Sequence, residues 1–424
     1  MIDIKFIRNN VEQVREAIRN KNEKADIVAL LAIDETRRKL QFEFDNLKSR
    51  QNNVSQTIAR KKKAGEDAAT ELKDMSTVAE EIKQISAALS ASNTELEALL
   101  LTIPNIPQPE VPVGRDESAN TVERIWGKPP VFTFEPKDHL EIANNNHYLD
   151  LPRGAKISGS GFPIYTGQGA RLERALISFM LEFHLQKHDY EELMVPLMVN
   201  RKTMTGTGQL PKLEEDMYHV NEDDLFLIPT AEVPVTNFYA DEVLSYKDIP
   251  KCFVSYTPCF RREAGSYGKD TKGLQRLHQF NKVEMVRFVE PEKSAEALEE
   301  MLCNAEAILQ AFGLHYRVLN LCTGDTSFAS QRTYDLEVWA PGSQKYLEVS
   351  SVSNFGEFQT RRANIRYKDS SGKVRHLHTL NGSGLATPRL MIALLETYQQ
   401  ADGSFKAPDV LKPWLEINLK ERQL

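Results

Sequence analysis

The sequence has few cysteines and no long apolar run. Its four cysteines, Cys252, Cys259, Cys303 and Cys322, are scattered without CxxC spacing, which argues against a zinc cluster and against a disulfide framework. The opening residues MIDIKFIRNN contain no apolar signal-peptide segment, and no run approaches the ~18 apolar residues that a membrane span needs. These absences predict a cytoplasmic protein with no membrane partner and no zinc.

The sequence also lacks an excess of basic residues. It has 53 Lys and Arg against 60 Asp and Glu, a formal net charge of −7. A protein that binds nucleic acid through its bulk charge would be basic, so any nucleic-acid contact must use local basic patches. With 424 residues, of which 41% are hydrophobic and 27% charged, the chain is typical of a soluble globular protein with two or more domains.

The first hundred residues lack proline and repeat apolar residues in a 3,4 spacing. The first apolar series is Leu30, Ile33, Leu40, Phe44, Leu47, Val54 and Ile58, with Arg37 and Gln51 at two of its positions. The second series is Met75, Val78, Ile82, Ile85, Leu89, Leu96, Leu99 and Ile103, interrupted by Ser92. This is the a/d pattern of a heptad repeat, and the polar segment ARKKKAGEDAAT separates the two series. We therefore expect an antiparallel coiled-coil hairpin over about residues 27–103 of an N-terminal domain, residues 1–103.

Such a hairpin is an arm about 50 Å long, since helices of ~30 to 35 residues rise 1.5 Å per residue. The alternative is one long dimerising coiled coil, but the break at Gly65 and the matched series lengths favour the hairpin. Two helices enclose too thin a core for a catalytic site, so the arm is a lever or a binding surface. Four consecutive basic residues near its tip, 60–63, are either a solvated run or a patch that contacts phosphates.

The segment IPNIPQPEVPVG, residues 103–114, stops helix formation with four prolines and predicts an extended linker over residues 104–120. Strand-like runs such as KCFVSY and KVEMVRFV follow, mixed with amphipathic helices such as GARLERALISFMLEFHL. Strands outnumber the helices between them. We therefore expect an α+β domain over residues 121–424, with an antiparallel sheet flanked by helices.

The stretch RREAGSYGKDTKGLQRLHQFNKVEM, residues 261–285, places charges on both sides of a glycine-containing loop. If CFRRE is a strand, Arg261 and Glu263 point to one face and Arg262 to the other. If FNKVEMV is a strand, Phe280 and Glu284 share a face with the lysine between them. A guanidinium suits a phosphate, an aromatic ring suits a nucleobase and a carboxylate suits an ammonium group. The alternative is a surface strand pair with ordinary ion pairs.

A second candidate is YLEVSSV, residues 346–352, where a carboxylate and two hydroxyls follow an apolar start. Glu348 and Ser351 could hold Mg²⁺, which keeps most of its water and takes few protein ligands. Strict strand alternation puts these two side chains on opposite faces, so both can bind one ion only if the strand bulges or ends there. A half-exposed strand with polar outward residues is the alternative.

A third candidate is HTLNGSGLATPRLMIALLE, residues 378–396, in which small residues lead into an amphipathic helix. Pro388 lies near the first turn of that helix and Arg389 follows it. A backbone that closely approaches a ligand needs glycine, and an arginine at the helix start can face the same ligand. A plain helix cap is the alternative.

In combination these segments resemble the sequence motifs of class II aminoacyl-tRNA synthetases. FRRE…HQFNKVE is similar to motif 2, NGSGLATPR to motif 3, and GARLERALISFMLEFHLQKHDYEELMVP to the motif 1 helix and strand of the dimer interface. With TAE at 230–232, EVSS at 348–351 and the N-terminal arm, the chain resembles the seryl-tRNA synthetases of bacterial type over its full length. Position 262 departs from the pattern, because serine is common where this chain has arginine.

The resemblance implies a role for each matching residue. Arg261 would contact the α-phosphate and the serine carboxylate, and with Arg389 would be catalytic. The implied ATP-binding residues are Arg261, Arg262, Glu263, Phe280, Glu348, Val349, Ser350, Ser351 and Arg389, with Phe280 stacked on adenine. The implied serine-binding residues are Thr230, Ala231, Glu232, Arg261, Glu284 and Ser383. Glu348 and Ser351 would bind Mg²⁺.

The implied reaction joins L-serine to ATP, releases pyrophosphate, and passes the seryl group from seryl-adenylate to the 3′ end of tRNA(Ser), with tRNA(Sec) as a further substrate. The arm would bind the tRNA, and the motif 1 region would form a homodimer. His278 is interpreted as structural, because neither step needs a protein base. Two alternatives keep the fold: a non-catalytic tRNA-binding or coiled-coil paralogue, and a homologue that charges a carrier protein.

Overall fold

The computed structural model describes residues 1–264 and 272–415. The chain divides into two compact units. The smaller unit consists of residues 2–19 and 23–104, and the larger consists of residue 1, residues 20–22 and the chain from residue 105 onward.

The smaller unit is helical, and it confirms the predicted hairpin. Two long helices, α3 and α4, pack along each other and are joined by a short turn at Gly65–Ala68. Ion pairs between Lys61 and Glu71, and between Arg50 and Asp74, connect them in the antiparallel sense. The helices of this unit are α1 (Ile4–Asn9), α2 (Val11–Asn20), α3 (Ile27–Ala64) and α4 (Ala69–Leu100).

The turn of the hairpin follows from Gly65, which ends α3 in the left-handed conformation at φ 75°. The predicted apolar seam positions are buried or half-buried along both helices, with Leu30, Val78 and Leu96 buried. Ser92 is also buried, since it occupies a seam position despite its polar side chain. At 1.5 Å per residue, the 38 residues of α3 make an arm roughly 57 Å long.

A buried carboxylate joins the base of the arm to the first helix. Asp34 is fully buried, and its oxygens lie 3.1 Å from Arg8 Nε, 3.3 Å from Arg38 Nε and 3.5 Å from Arg37 Nη2. One carboxylate facing three guanidinium groups is a well-paired buried ion, and removing it would leave three cations without that partner. Asp34 therefore fixes α1 to the start of α3.

The larger unit has the predicted α+β architecture. Its described residues form an eight-stranded sheet in the order β1-β9-β10-β11-β14-β8-β7-β2, antiparallel except for the β2–β7 pair, and two three-stranded sheets. The strands are β1 (Thr121–Trp126), β2 (Glu191–Glu192), β3 (Met198–Asn200), β4 (His219–Val220), β5 (Leu225–Leu227), β6 (Val243–Ser245), β7 (Lys251–Phe260), β8 (Gln279–Val289), β9 (Tyr316–Asn320), β10 (Arg332–Ala340), β11 (Lys345–Gly356), β12 (Arg366–Lys368), β13 (Val374–His376) and β14 (His378–Ala386).

Helices cover one face of the large sheet. The longest of them, α7, α10 and α12, pack on its central strands. The helices of this unit are α5 (His139–Asn145), α6 (Leu151–Ser158), α7 (Gly167–Lys187), α8 (Arg201–Thr207), α9 (Glu232–Thr236), α10 (Ser294–Ala311), α11 (Phe358–Arg362), α12 (Thr387–Thr397) and α13 (Lys412–Leu415). No helix in the described part of either unit is both long and apolar enough to cross a membrane.

Strand alternation in β8 decides which side chains face a ligand. Val283, Met285 and Val289 belong to the main apolar core under the helices. Phe280, Lys282 and Glu284 point to the other face and line a cavity there. The alternation in FNKVEMV therefore directs Val283 and Met285 to the apolar core and Phe280, Lys282 and Glu284 to the cavity.

The proline-rich segment after residue 103 packs within the larger unit. Asn105 Nδ2 donates hydrogen bonds to the carbonyls of Ala329 and Phe355, each at 2.8 Å. The Asn105 backbone N–H donates to the carbonyl of Phe328 at 2.9 Å. The start of the predicted linker is thus an extended segment that pairs with two other parts of the same unit.

Candidate functional site

One cavity of about 650 Å³ contains most of the predicted site residues. It lies on the face of the large sheet that carries Phe280 and Glu284, and it runs along strands β8, β14 and β11. The predicted residues that line it are Thr230, Glu232, Arg261, Glu263, Phe280, Glu284, Glu348, Val349, Ser351, Ser383 and Arg389. Residues predicted from four separate segments therefore converge on one space.

Three predicted residues lie beside the cavity rather than on its surface, as far as the described residues define it. Ala231 is buried in an apolar cluster. Ser350 Oγ donates to the carbonyl of Ser383 at 2.6 Å, so it supports the wall from behind. Arg262 N–H donates to the carbonyl of Asp216 at 2.9 Å.

The strand that precedes Arg261 is shorter than predicted. β7 ends at Phe260, so the expectation that CFRRE is a strand through Glu263 is wrong. Glu263 has φ 50°, a left-handed conformation that cannot continue a strand, and its carboxylate pairs with Arg276 at 2.6 Å. Residues 265–271 of the connecting loop lie outside the described residues.

Arg261 lies against the ring of Phe280. Its guanidinium carbon is 5.2 Å from the ring centroid, and its Nε donates to the carbonyl of Pro229 at 3.3 Å. His278 holds the backbone here, because Arg261 N–H donates to its carbonyl at 2.9 Å and its Nδ1 lies 3.1 Å from the Arg261 carbonyl. These contacts place a cation beside an aromatic plate on one wall.

A buried lysine connects the residues predicted to bind serine. Lys282 Nζ donates to Thr230 Oγ1 at 2.9 Å and pairs with Glu284 at 2.6 Å. Ser383 lies directly opposite Glu284 in the β14–β8 register. The sequence predicts that Lys282 lies on this face, but no role was assigned to it. Its position between Phe280 and Glu284 was the signal that could have indicated a role in the site.

Glu232 is the second carboxylate of this region. Burial, and then the negative charge of Glu284, raise the pKa of Glu232 to about 7, while Gln359 Nε2 donates to it at 2.7 Å. Two carboxylates thus share the positive charge of Lys282. A ligand with an ammonium group would supply a second cation and favour the ionised form of Glu232.

Strand β11 has a bulge at the predicted metal site. Opposite β10, Leu336 pairs with Ser350 and the next residue pairs with Glu348, so Val349 is an extra residue in β11. The bulge shifts the alternation, and both Glu348 and Ser351 line the cavity. This meets the condition under which the two side chains can reach one ion.

A buried carboxylate missed in the sequence lies behind these two residues. Asp335 is opposite Ser351 in the β10–β11 register, and its Oδ1 has no hydrogen-bond partner within the described residues. Burial, and then the charge of Glu348, raise the pKa of Asp335 well above its ordinary value. An all-oxygen set of carboxylates and a hydroxyl fits a hard cation such as Mg²⁺. In residues 1–264 and 272–415, no three His, Cys, Asp or Glu side chains cluster as metal ligands.

Arg389 enters the cavity from the start of α12, one residue after Pro388. Its Nη1 donates to the Glu348 carboxylate at 3.1 Å, and its Nε donates to the carbonyl of Gln275 at 3.2 Å. Arg261 and Arg389 thus bring two guanidinium groups to the half of the cavity that also holds the Phe280 ring. Cations, a ring and exposed carboxylate oxygens together suit a nucleotide and its metal ion.

The long helix α7 is tied to this cavity through a buried carboxylate. Glu173 accepts a hydrogen bond from Asn281 Nδ2 at 2.7 Å and another from the hydroxyl of Thr387. Burial raises the pKa of Glu173. These bonds join α7 to β8 and to the start of α12, so the helix that precedes β2 fixes two walls of the site.

Two family models match the chain. The tRNA synthetase class II core domain (G, H, P, S and T) matches residues 213–398, which contain every predicted site residue. The Seryl-tRNA synthetase N-terminal domain matches residues 1–107, which contain the helical hairpin. The two matches together cover the fold elements that carry the cavity and the arm.

Full-length relatives agree with these matches. The chain is 49% identical over 416 residues to the Serine--tRNA ligase of Geobacter sulfurreducens, covering 98% of each chain. It is 50% identical over 417 residues to the Serine--tRNA ligase of Desulfosudis oleivorans, again covering 98% of each chain. Its structure matches the crystal structure of seryl-tRNA synthetase from Pyrococcus horikoshii complexed with ATP at a TM-score of 0.91, with 35% identity and 98% of each chain covered.

Proposed function

This chain belongs to the seryl-tRNA synthetase family, and on that premise we propose that its cavity binds serine beside Thr230, Glu232 and Glu284 and binds ATP between Phe280 and Arg389. One observation carries the proposal. A single cavity holds the carboxylates that suit an ammonium group next to the arginines and the ring that suit a nucleotide.

The chain has the activity of a serine–tRNA ligase, a class II aminoacyl-tRNA synthetase, because relatives of that name align with 98% of it at about half identity. The alternatives of a non-catalytic paralogue and of a homologue that charges a carrier protein are not favoured. The arm that the second alternative would lack is present as α3 and α4.

In the proposed serine pocket, the positive charge of Lys282 partly balances the negative charges of Glu232 and Glu284. Glu232 and Glu284 would face the ammonium group of serine, with Lys282 holding Glu284 and Thr230 in place. Ser383 would complete the pocket opposite Glu284. Such a pocket rejects alanine, because buried groups that bond the serine hydroxyl would be left unpaired, which costs far more than a lost methylene.

The proposed ATP site uses the Phe280 ring for adenine, with Arg389 over its other face. Arg261 would contact the α-phosphate and the serine carboxylate, where serine and ATP meet. The Pyrococcus horikoshii relative is complexed with ATP, and its fold covers 98% of this chain. A divalent cation requirement is consistent with this class. We propose that Glu348 and Ser351 bind Mg²⁺, which would neutralise phosphate charge.

The proposed site residues promote two group transfers by holding the substrates in position. The serine carboxylate attacks the α-phosphorus of ATP, and the bond to pyrophosphate breaks. The ribose hydroxyl at the 3′ end of the tRNA then attacks the seryl carbonyl, and AMP leaves. Arg261 and Arg389 stabilise the charge that develops on the phosphate, and the pocket holds serine at attack distance, so no protein nucleophile is needed.

The partners follow from other surfaces. We propose a homodimer through the motif 1 region, because Met194 is 94% exposed in the single chain and the neighbouring Leu197 and Met198 are also partly exposed.

The arm is proposed to bind tRNA(Ser), and tRNA(Sec) as a further substrate. All four cysteines are free thiols, which supports the proposed cytoplasmic location.

Serine-dependent exchange of pyrophosphate into ATP tests the site assignment. We expect Glu284→Ala to lower kcat/KM for serine by roughly 100-fold, the size of effect seen when one group that contacts the reacting centre is removed, while the oligomeric mass stays the same. Glu296→Ala on the exposed face of α10 is the matched carboxylate control. Equal exchange rates for Glu284→Ala and the parent would refute the pocket.

A further inference from the structure

Strand β14 is irregular where it pairs with β8 beside the cavity. Ser383 pairs with Glu284, and the next pair in the ladder joins Ala386 to Lys282. Two residues of β14 therefore stand opposite the single residue of β8 between these pairs, which is the arrangement of a β-bulge. The two residues, here called the β14 bulge, are Gly384 and Leu385.

The β14 bulge lies between residues proposed for the two substrates. Ser383, directly before it, lines the serine half of the cavity, and Arg389, at the start of the helix that follows, lines the ATP half. Attack of the serine carboxylate on the α-phosphorus requires both substrates in one alignment, and a displacement of about 1 Å can lower a rate roughly 100-fold. The conformation of the bulge therefore bears directly on the first chemical step.

Side chains of α7 bond the backbone of the β14 bulge. His184 Nε2 lies 2.9 Å from the carbonyl oxygen of Gly384, and the N–H of Leu385 donates to Met180 Sδ at 3.3 Å. Met180 and His184 are fully buried, and their spacing of four residues puts them on one face of α7. A Cβ at Gly384 would lie 2.4 Å from His184 Nε2, so the close approach of the ring requires glycine there.

These contacts fix the tautomer of His184. A carbonyl oxygen only accepts hydrogen bonds, so Nε2 carries the proton that it donates to Gly384. The other ring nitrogen, Nδ1, is then bare and accepts from His188 Nδ1–H at 3.0 Å. Burial lowers the pKa of His184 to about 4. The ring is therefore neutral at pH 7, with one nitrogen donating and the other accepting.

The backbone on either side of the peptide bond after Ser383 is held from two directions. Ser350 Oγ on β11 donates to the Ser383 carbonyl at 2.6 Å, and His184 on α7 donates to the next carbonyl, that of Gly384. We propose that His184 is a positioning residue for serine activation, because its Nε2–H fixes the β14 bulge and thereby aligns serine with the α-phosphate of ATP. This inference rests on the proposed serine and ATP sites.

Serine-dependent pyrophosphate exchange tests the proposal when each rate is divided by the number of active sites, measured as adenylate formed per chain in the first turnover. His184→Leu removes the donor to Gly384, whereas His184→Gln keeps an N–H at a similar distance from the backbone. We expect His184→Leu to lower kcat roughly 100-fold per active site, with the KM for serine and the KM for ATP each within about two-fold of the parent. His184→Gln should recover most of the lost kcat.

The control is a histidine at the other end of the same strand. His378 Nδ1 lies 2.8 Å from Ser294 Oγ and does not contact the bulge, so His378→Leu should keep the parental kcat. A loss of kcat in His184→Leu that the count of active sites explains would overturn the proposal. Equal impairment of His184→Gln and His184→Leu, or an equal loss in His378→Leu, would also overturn it.

A measurement on the parent protein needs no folded His184→Leu variant. In protein labelled with ¹⁵N at its histidines, the signals of His184, identified by their absence from His184→Gln, should show a protonated Nε2 and a bare Nδ1 at pH 7. The opposite tautomer, or a doubly protonated ring, would overturn the proposed bond to Gly384. Absence of serine-dependent exchange in the parent would instead refute the proposed serine and ATP sites.

Discussion

The Arg389 side chain is hydrogen-bonded to both the backbone carbonyl and the side-chain carboxylate of Glu348. The Nη1 of Arg389 donates to the Glu348 carbonyl at 2.9 Å and to its carboxylate at 3.1 Å. The two side chains are 30% and 46% exposed, and exposed ion pairs of this kind contribute about 0–1 kcal/mol. A nucleotide and its metal ion can therefore separate the pair at little cost.

The first prediction concerns Glu348→Gln. Glutamine keeps an acceptor for Arg389 but removes the charge proposed to bind Mg²⁺. We expect the Mg²⁺ concentration for half-maximal exchange to rise roughly ten-fold, with a thermal midpoint close to that of the parent, because exposed substitutions usually change stability by less than about 0.5 kcal/mol. Mn²⁺ binding measured by electron paramagnetic resonance gives a second readout. Glu337→Gln, whose carboxylate pairs with Arg317 instead, is the control, and an unaltered Mg²⁺ requirement would contradict the assignment.

The second prediction concerns pH and serine. The pKa of Glu232 is raised to about 7 by burial and by Glu284, so this carboxyl is increasingly protonated below pH 7. A neutral carboxyl cannot pair with an ammonium group, and the KM for serine should rise toward ten-fold per pH unit on the acid side. The KM for ATP, measured in the same buffers, serves as the control. A serine KM that stays constant from pH 8 to pH 6 would exclude this role.

The third prediction is a stability change at the same residue. The folded-state pKa of Glu232, about 7, exceeds the ordinary glutamate value of 4.5. Its contribution to stability is therefore fully present below pH 4.5 and is lost as pH rises through 7. Glu232→Gln cannot ionise and can still accept from Gln359. We expect Glu232→Gln to melt a few degrees higher than the parent at pH 8, with the difference disappearing near pH 5. Thermal melts at both values decide the matter, and a difference independent of pH would argue against it.

The fourth prediction tests the proposed homodimer. Met194, 94% exposed in the single chain, follows β2 in the motif 1 region. Met194→Asp would bury a charge in an interface there, so we expect a larger monomer fraction in sedimentation velocity at micromolar concentration. Phe42→Asp replaces another exposed apolar side chain, 68% exposed on α3, and should leave the mass unchanged. Equal masses for both variants and the parent would exclude Met194 from the interface.

The fifth prediction separates the arm from the cavity. Replacing residues 45–84 by a short glycine-containing turn removes the outer part of α3 and α4 but retains Asp34 with its three arginines. We expect exchange to continue at the parental rate and tRNA charging to fall by at least 100-fold. Charging at the parental rate by this shortened chain would show that the arm does not bind the substrate.

The arm and the β7–β8 pair could be predicted from sequence because local periodicity determines them. The 3,4 spacing locates the seam of the hairpin, including the buried Ser92. The alternation in FNKVE places Phe280 and Glu284 on one face. Both patterns follow from the geometry of a single helix or strand, so they can be recognised without knowing which elements pack beside it.

Other features depend on contacts between distant segments. The sequence predicts Glu263 in a strand, yet β7 ends at Phe260 and Glu263 has a left-handed φ of 50°. Nothing in the letters FRRE signals a left-handed residue. Asp335 and Ser351 are 16 residues apart in the sequence and become neighbours only through the pairing of β10 with β11. The cavity also joins residues near 208 to residues near 328, which are far apart in the sequence and adjacent only in the folded chain.

The extra residue at Val349 makes the length of β11 a requirement of the proposed ATP wall. In a regular strand, Glu348 and Ser351 would point to opposite sides of the sheet because they are three residues apart, and the bulge brings both to the cavity. Point substitutions in this wall alter one group at a time, whereas a one-residue insertion or deletion elsewhere in β11 would shift the pairing register and turn the side chains on one side of it to the other face of the sheet. Natural variation here should therefore conserve spacing more strictly than it conserves the identity of the bulged residue.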